Sequence, residues 1–73
     1  MEEQIKKEYH DLIENNNHIA AAILLVKNLG TSWELSQLRL INARMDKYGY
    51  IDPFDQKTRS QIVRPYSTFI SKG

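Results

Sequence analysis

The chain has 73 residues, of which 41% are apolar and 26% charged, and ten Lys and Arg residues against nine Asp and Glu give a net charge of +1. This size and balance predict one compact domain over residues 1–73, and they exclude a multidomain protein, a disordered chain and a surface dominated by charge of one sign. The absence of cysteine excludes a disulfide framework, a thiolate metal site and a thiol nucleophile.

The first predicted helix covers about residues 3–15. Its apolar residues recur at i, i+4, i+7 and i+8 and form one stripe on an otherwise charged helix: Ile5, Tyr9, Leu12 and Ile13. Three consecutive asparagines at 15–17 favour a turn or an N-cap over a helix interior. We therefore expect the helix to end at this run.

The second predicted helix covers residues 18–29 and follows an Asn N-cap at Asn17. Apolar residues lie on all sides of it, which in a small domain indicates a central helix surrounded by the rest of the fold. Gly30 is expected to end this helix in the left-handed conformation, which glycine adopts without steric cost.

The third predicted helix begins at a capping box formed by Thr31 and Glu34 and runs to about Tyr48, with Gly49 as its stop signal. At 100° per residue, one face is expected to be buried: Leu35, Leu38, Ile41, Met45 and Tyr48. A second stripe on the opposite side carries two large apolar side chains and two cations: Trp33, Gln37, Leu40, Arg44 and Lys47.

The last third is predicted to form a helix that starts at Asp52 as N-cap, with Pro53 at N1 and Asp55 at N3, and that breaks near Pro65. The predicted fold is all-α: three main helices and a short, Pro-broken C-terminal helix in an orthogonal or bundle-like arrangement. In the alternative, residues 48–54 pair with 61–66 as a hairpin, because β-favouring residues occur in both segments, and the fold is winged-helix-like.

Catalytic and metal chemistry find little support in the residues. His10 and Glu14 share a helical face and His18 follows, but no fourth group is spaced to complete a zinc site. Residues 46–52 resemble half of a calcium loop, but the register puts Arg44 at the first ligand position. A phosphate-binding glycine loop and a His-Glu-x-x-His motif are both absent. We expect no enzyme activity, no metal and no cofactor.

A cytoplasmic location is expected from two features. The longest strongly apolar run, residues 19–26, has eight residues, whereas a membrane-spanning helix needs about 20. The N-terminus is acidic, whereas a signal peptide begins with positive charge. We therefore expect no membrane partner. We also expect no small-molecule substrate.

DNA binding is one functional hypothesis. The glycine-containing turn at 29–32 suits a helix-turn-helix, with residues 32–48 as the recognition helix of a transcriptional regulator. Six side chains would then contact bases and phosphates: Gln37, Arg44, Lys47, Lys57, Arg59 and Arg64. Trp33, Glu34 and Leu35 fit poorly at the N-terminal end, where DNA-reading helices carry small, polar or basic residues.

Protein binding through the same stripe is the preferred hypothesis. Trp33, Leu40 and Arg44 have the composition of a contact hot spot, with Gln37 and Lys47 beside them. We expect a small regulatory or adaptor protein that inhibits or modulates a partner, or that pairs with a second copy of itself. In a competing interpretation the C-terminal segment covers Trp33 and Leu40 through its own apolar residues: Phe54, Tyr66, Phe69 and Ile70.

Overall fold

The computed structural model describes residues 2–71, and every regular element in this range is helical. A 3₁₀ turn, Arg64–Tyr66, joins the fourth helix to the fifth. The helices are α1 (Glu2–Glu14), α2 (His18–Leu29), α3 (Ser32–Tyr48), α4 (Pro53–Val63) and α5 (Ser67–Ser71). The all-α prediction is confirmed. Within the described range no helix is both long and apolar enough to cross a membrane.

The alternative, in which residues 48–54 pair with 61–66 as a hairpin, is wrong, because local helix signals outweigh the β preference of these segments. Asp52 Oδ1 accepts the backbone N–H of Asp55 at 2.8 Å, and Pro53 occupies the first helical turn. This cap fixes the start of α4. Ile62 then lies on the buried face of the helix. Pro65 lies in the 3₁₀ turn, so the predicted break near this residue is confirmed.

The core forms around α2, as its apolar composition predicts. Five α2 residues are buried: Ile19, Ala21, Ala22, Leu25 and Val26. Leu38 and Ile41 of α3 and Ile62 of α4 complete the buried set, and α2 contacts α1, α3 and α4. The central position of α2 is therefore confirmed.

Helix α1 lies on the outside of this core. None of its residues is buried, and its apolar stripe is half-buried where α1 packs on α2. Two further contacts join α1 to the C-terminal helix: His10 Nε2 lies 3.3 Å from the Ile70 carbonyl oxygen, and Lys6 Nζ lies 5.3 Å from the centroid of the Phe69 ring. The predicted end at the asparagine run is confirmed, with Asn16 in the left-handed region at φ 60°.

Two details of the α2 ends differ from prediction. Asn17 precedes α2, but its side chain makes no capping hydrogen bond. Gly30 is extended, with φ −106° and ψ −160°, rather than left-handed. A Cβ atom at Gly30 would lie 2.6 Å from the Tyr66 hydroxyl oxygen and 2.7 Å from Glu34 Oε1. Glycine is therefore needed here for close approach and not for its φ angle.

The capping box at the start of α3 is confirmed, and it extends to the C-terminal segment. The Thr31 backbone N–H donates to Glu34 Oε1 at 3.0 Å, and the Glu34 N–H donates to Thr31 Oγ1 at 3.2 Å. The Tyr66 hydroxyl donates to the same Glu34 oxygen at 3.0 Å. This contact connects the 3₁₀ turn to the start of α3. The other end of α3 stops at Gly49, which adopts the left-handed conformation with φ 80°.

Candidate protein-binding surface

The predicted stripe of α3 lies on the outside of the molecule. Trp33 is 64% and Leu40 52% exposed; Lys47 is exposed and Gln37 half-buried. The interpretation in which C-terminal residues cover Trp33 and Leu40 is wrong, because the C-terminal segment reaches α3 at Glu34 and Phe54 is itself exposed. We call the set of Trp33, Gln37, Leu40, Arg44 and Lys47 the α3 surface.

Arg44 differs from the rest of the α3 surface because it is paired within the protein. Its Nε donates to Asp55 Oδ2 and its second terminal nitrogen to Asp55 Oδ1, both at 2.8 Å. Asp55 is only 3% exposed, so this two-point contact satisfies a buried carboxylate. It also fixes α3 against α4. Three of the five guanidinium N–H groups remain for other partners.

Acid is expected to destabilise the protein through two carboxylates. Hydrogen bonds from Arg44 lower the pKa of Asp55 below its ordinary 3.8, and the Thr31 backbone N–H lowers the pKa of Glu34 below its ordinary 4.5. Each carboxylate therefore contributes stability above its unfolded-state pKa, and this contribution is lost as the pH falls through the folded value. We expect the melting temperature to drop below about pH 5.

Asp55→Asn tests this assignment. It is expected to cost about 1–2 kcal/mol at pH 7, because the amide removes the negative charge and its NH₂ group cannot accept one of the two hydrogen bonds from Arg44. The same variant should lose less stability than the wild type between pH 5 and pH 2. Thermal unfolding followed by circular dichroism measures both effects, and equal acid sensitivity of the two proteins would contradict the role of Asp55.

Three exposed aromatic residues lie where α3 meets α4. Tyr48, Tyr50 and Phe54 are 58–75% exposed, and both tyrosines line a groove of about 100 Å³ with Arg44, Asp52 and Asp55. We call these three residues the corner aromatics. Tyr48 was predicted to be buried, which is wrong: it is 58% exposed, because its side chain lines this open groove and does not belong to the core cluster. Lys47 Nζ lies 5.3 Å from the Tyr48 ring centroid.

The residues of the DNA hypothesis are distributed over α3, α4 and the 3₁₀ turn. Arg59 and Arg64 line a different groove, of about 420 Å³, whose other wall includes Tyr9 of α1. Burial raises the pKa of Tyr9, and the charge of Arg59 opposes this shift. Lys57 is exposed on α4. In residues 2–71, no three His, Cys, Asp or Glu side chains are grouped so as to hold a metal ion.

The α3 surface and the corner aromatics together offer aromatic, aliphatic and cationic side chains beside a rigid ion pair. Large side chains of this kind bury apolar area on contact, whereas the surrounding polar groups exclude water. The Tyr48 and Tyr50 hydroxyls add polar tips. Local sequence signals did not reveal the corner aromatics as a group, since Tyr48 belongs to α3 and Phe54 to α4. No protein-family model, curated protein or solved structure matches this chain.

Proposed function

We propose that this protein acts without catalysis, as a small cytoplasmic regulatory or adaptor protein that binds another protein through the α3 surface. One observation carries the proposal: Trp33 and Leu40 lie exposed on the same side of one helix. Trp is the residue type most enriched at binding hot spots. Both side chains would leave water on binding, and burial of a large apolar side chain contributes about 1.5–3 kcal/mol.

The rigidity of the α3 surface supports the proposal. Helix α3 has 17 residues and is capped at both ends, and the Arg44–Asp55 pair holds its C-terminal third against α4. A surface that is already ordered loses little conformational entropy when it binds. Tyr48 and Tyr50 line a groove beside Arg44, so the available contact area is larger than the α3 surface alone.

Electrostatics favour a protein over DNA as the partner. Arg44, a central cation of the proposed recognition helix, donates two hydrogen bonds to Asp55. Arg59 and Arg64 line the groove beside Tyr9, and the net charge of the chain is only +1. Affinity for DNA depends on many cations that contact phosphates together. DNA binding is therefore the outcome that would overturn the proposal.

A photoreactive residue in place of Leu40 tests the proposal directly. In cells that make the protein, we expect a covalent adduct to a protein from position 40 and none from position 39, which is exposed on a different side of α3. Addition of Trp33→Ala should abolish the adduct and leave the melting temperature unchanged, because substitution of an exposed residue changes stability by about 0.5 kcal/mol or less.

Light scattering with random duplex DNA separates the two hypotheses. A rise in mass at low salt that disappears at high salt would identify DNA as the partner and contradict protein binding. Lys47→Ala is the appropriate variant for this measurement. Arg44→Ala is not, since it also breaks the contact with the buried Asp55 carboxylate and therefore changes the fold together with the charge.

A further inference from the structure

We propose that the partner is a second copy of this chain, and that two α3 helices pair antiparallel about a two-fold axis at Leu40. This inference rests on the proposed function, because it uses the same exposed face of α3. Three observations support it: the spacing of the exposed residues, the placement of Trp33 and Lys47 at equal distances from Leu40, and the apolar area that is left in contact with water.

The exposed residues of α3 follow a seven-residue repeat. Trp33, Leu40 and Lys47 are seven residues apart, and Ser36 and Ala43 lie between them. All five are exposed. Positions that alternate three and four residues apart form one continuous seam along a helix, and paired helices contact each other through such a seam. We call these five residues the α3 seam.

The ends and the centre of the α3 seam are complementary to themselves. A two-fold interface requires that one patch contact an identical patch, and an antiparallel pair about Leu40 places each residue opposite the one equally far on the other side. Trp33 then lies against Lys47 of the partner subunit, where an ammonium over an indole ring is attractive, and Leu40 meets Leu40 of the partner subunit. Ser36 and Ala43 face Arg44 and Gln37 of the partner subunit, and their small side chains leave room for these longer ones.

The charges of the α3 seam do not oppose this arrangement. Lys47 is the only charged residue of the α3 seam. The two copies of Lys47 lie at opposite ends of the pair. Fourteen residues at 1.5 Å each separate them by about 21 Å along the axis, which exceeds the screening length of about 10 Å at 0.1 M salt. Arg44, beside the seam, is neutralised by Asp55.

The exposed apolar area is close to what a stable dimer needs. Trp33, Tyr48 and Tyr50 are 58–64% exposed, and both tyrosines line the groove beside Arg44. Since each aromatic side chain presents about 150–250 Å², these three together with Leu40 leave about 450 Å² in water. A stable interface buries about 800 Å² per partner, of which about 56–58% is apolar. Tyr48 belongs to this area because it lies opposite Ser32 of the partner subunit in the antiparallel register.

Cysteine substitutions test the register, because the native chain has no cysteine. Leu40→Cys places two thiols at the two-fold axis, where a disulfide can form. We expect mild oxidation to convert the 8.6 kDa chain into a covalent dimer. Lys47→Cys is the matched control: it is exposed on the same seam, but an antiparallel pair keeps the two thiols about 21 Å apart, so this variant should stay monomeric on a denaturing gel.

The wild-type protein provides a test that needs no new thiol. Its mass measured by light scattering should rise with concentration, and Trp33→Ala should weaken association by about tenfold or more. A mass of 8.6 kDa at millimolar concentration would overturn the pairing, and so would a Lys47→Cys protein that forms disulfides as fast as Leu40→Cys.

The photoreactive residue at position 40 separates failure of this inference from failure of the proposed function. If the wild type stays monomeric and position 40 couples to a different protein, the pairing is wrong and protein binding stands. If the wild type stays monomeric and position 40 couples to no protein, both proposals are wrong. An adduct with a second copy supports both.

Discussion

Leu38→Ala is expected to lower the free energy of unfolding by about 2–5 kcal/mol, the range for removal of a buried leucine side chain. Leu38 has no exposed surface and packs in the core cluster with Val26 and Ile41. A chain of 73 residues has a total stability of only about 4–11 kcal/mol. The variant should therefore unfold at a much lower urea concentration than the wild type.

Leu40→Ala is the matched control, since it makes the same substitution two residues further along α3. Leu40 is 52% exposed, so its loss should cost less than about 1 kcal/mol. Urea unfolding followed by circular dichroism measures both values. If the two variants lost equal stability, the exposed position of Leu40 would be wrong, and with it the α3 surface.

Gly30→Ala is expected to destabilise the protein by about 1–3 kcal/mol through steric overlap. The added methyl group would lie 2.6 Å from the Tyr66 hydroxyl oxygen and 3.1 Å from the Val26 Cα atom. Both the Tyr66 hydroxyl and the Glu34 carboxylate must move, which disturbs the hydrogen bond between them. The conformation of Gly30 itself, φ −106°, is open to alanine, so backbone strain does not explain the loss.

A double-mutant cycle distinguishes overlap with the hydroxyl from other causes. Tyr66→Phe removes the hydroxyl group and should cost about 0.5–1.5 kcal/mol by itself. In the Tyr66→Phe protein, Gly30→Ala should cost clearly less than in the wild type, because the nearest atom is gone. Equal costs in both backgrounds, measured by urea unfolding, would show that the Tyr66 hydroxyl is not the obstacle.

Elements with local signals could be predicted from the sequence. The capping box of Thr31 and Glu34 depends on residues three apart, and the cap at Asp52 depends on Pro53 and Asp55. Gly49 has no neighbour that restricts it, so its left-handed conformation follows from its place at a helix end. The apolar residues on all sides of α2 indicated its central place in the same way, because this pattern is contained in the segment itself.

Features that depend on distant residues could not be predicted in this way. Gly30 resembles a left-handed helix stop, but its role is set by Tyr66, which is 36 positions away in the sequence. From the sequence, Arg44 is expected to be an unpaired cation of the α3 stripe, because its partner, Asp55, lies on another helix. Tyr48 has the angular position of a core residue, but its side chain lines the open groove beside Arg44 and Tyr50 and does not belong to the core cluster. In each case the decisive neighbour is positioned by tertiary packing.

The packing of α1 on α2 gives the small interior a second apolar layer. Ala21 and Leu25 of α2 are fully buried, but they lie outside the cluster that joins α2 to α3 and α4, and α1 packs on α2. Release of α1 would therefore expose these side chains to water and cost free energy in proportion to that area. Since α3 packs on α2 through the other layer, the recognition surface does not depend on this contact.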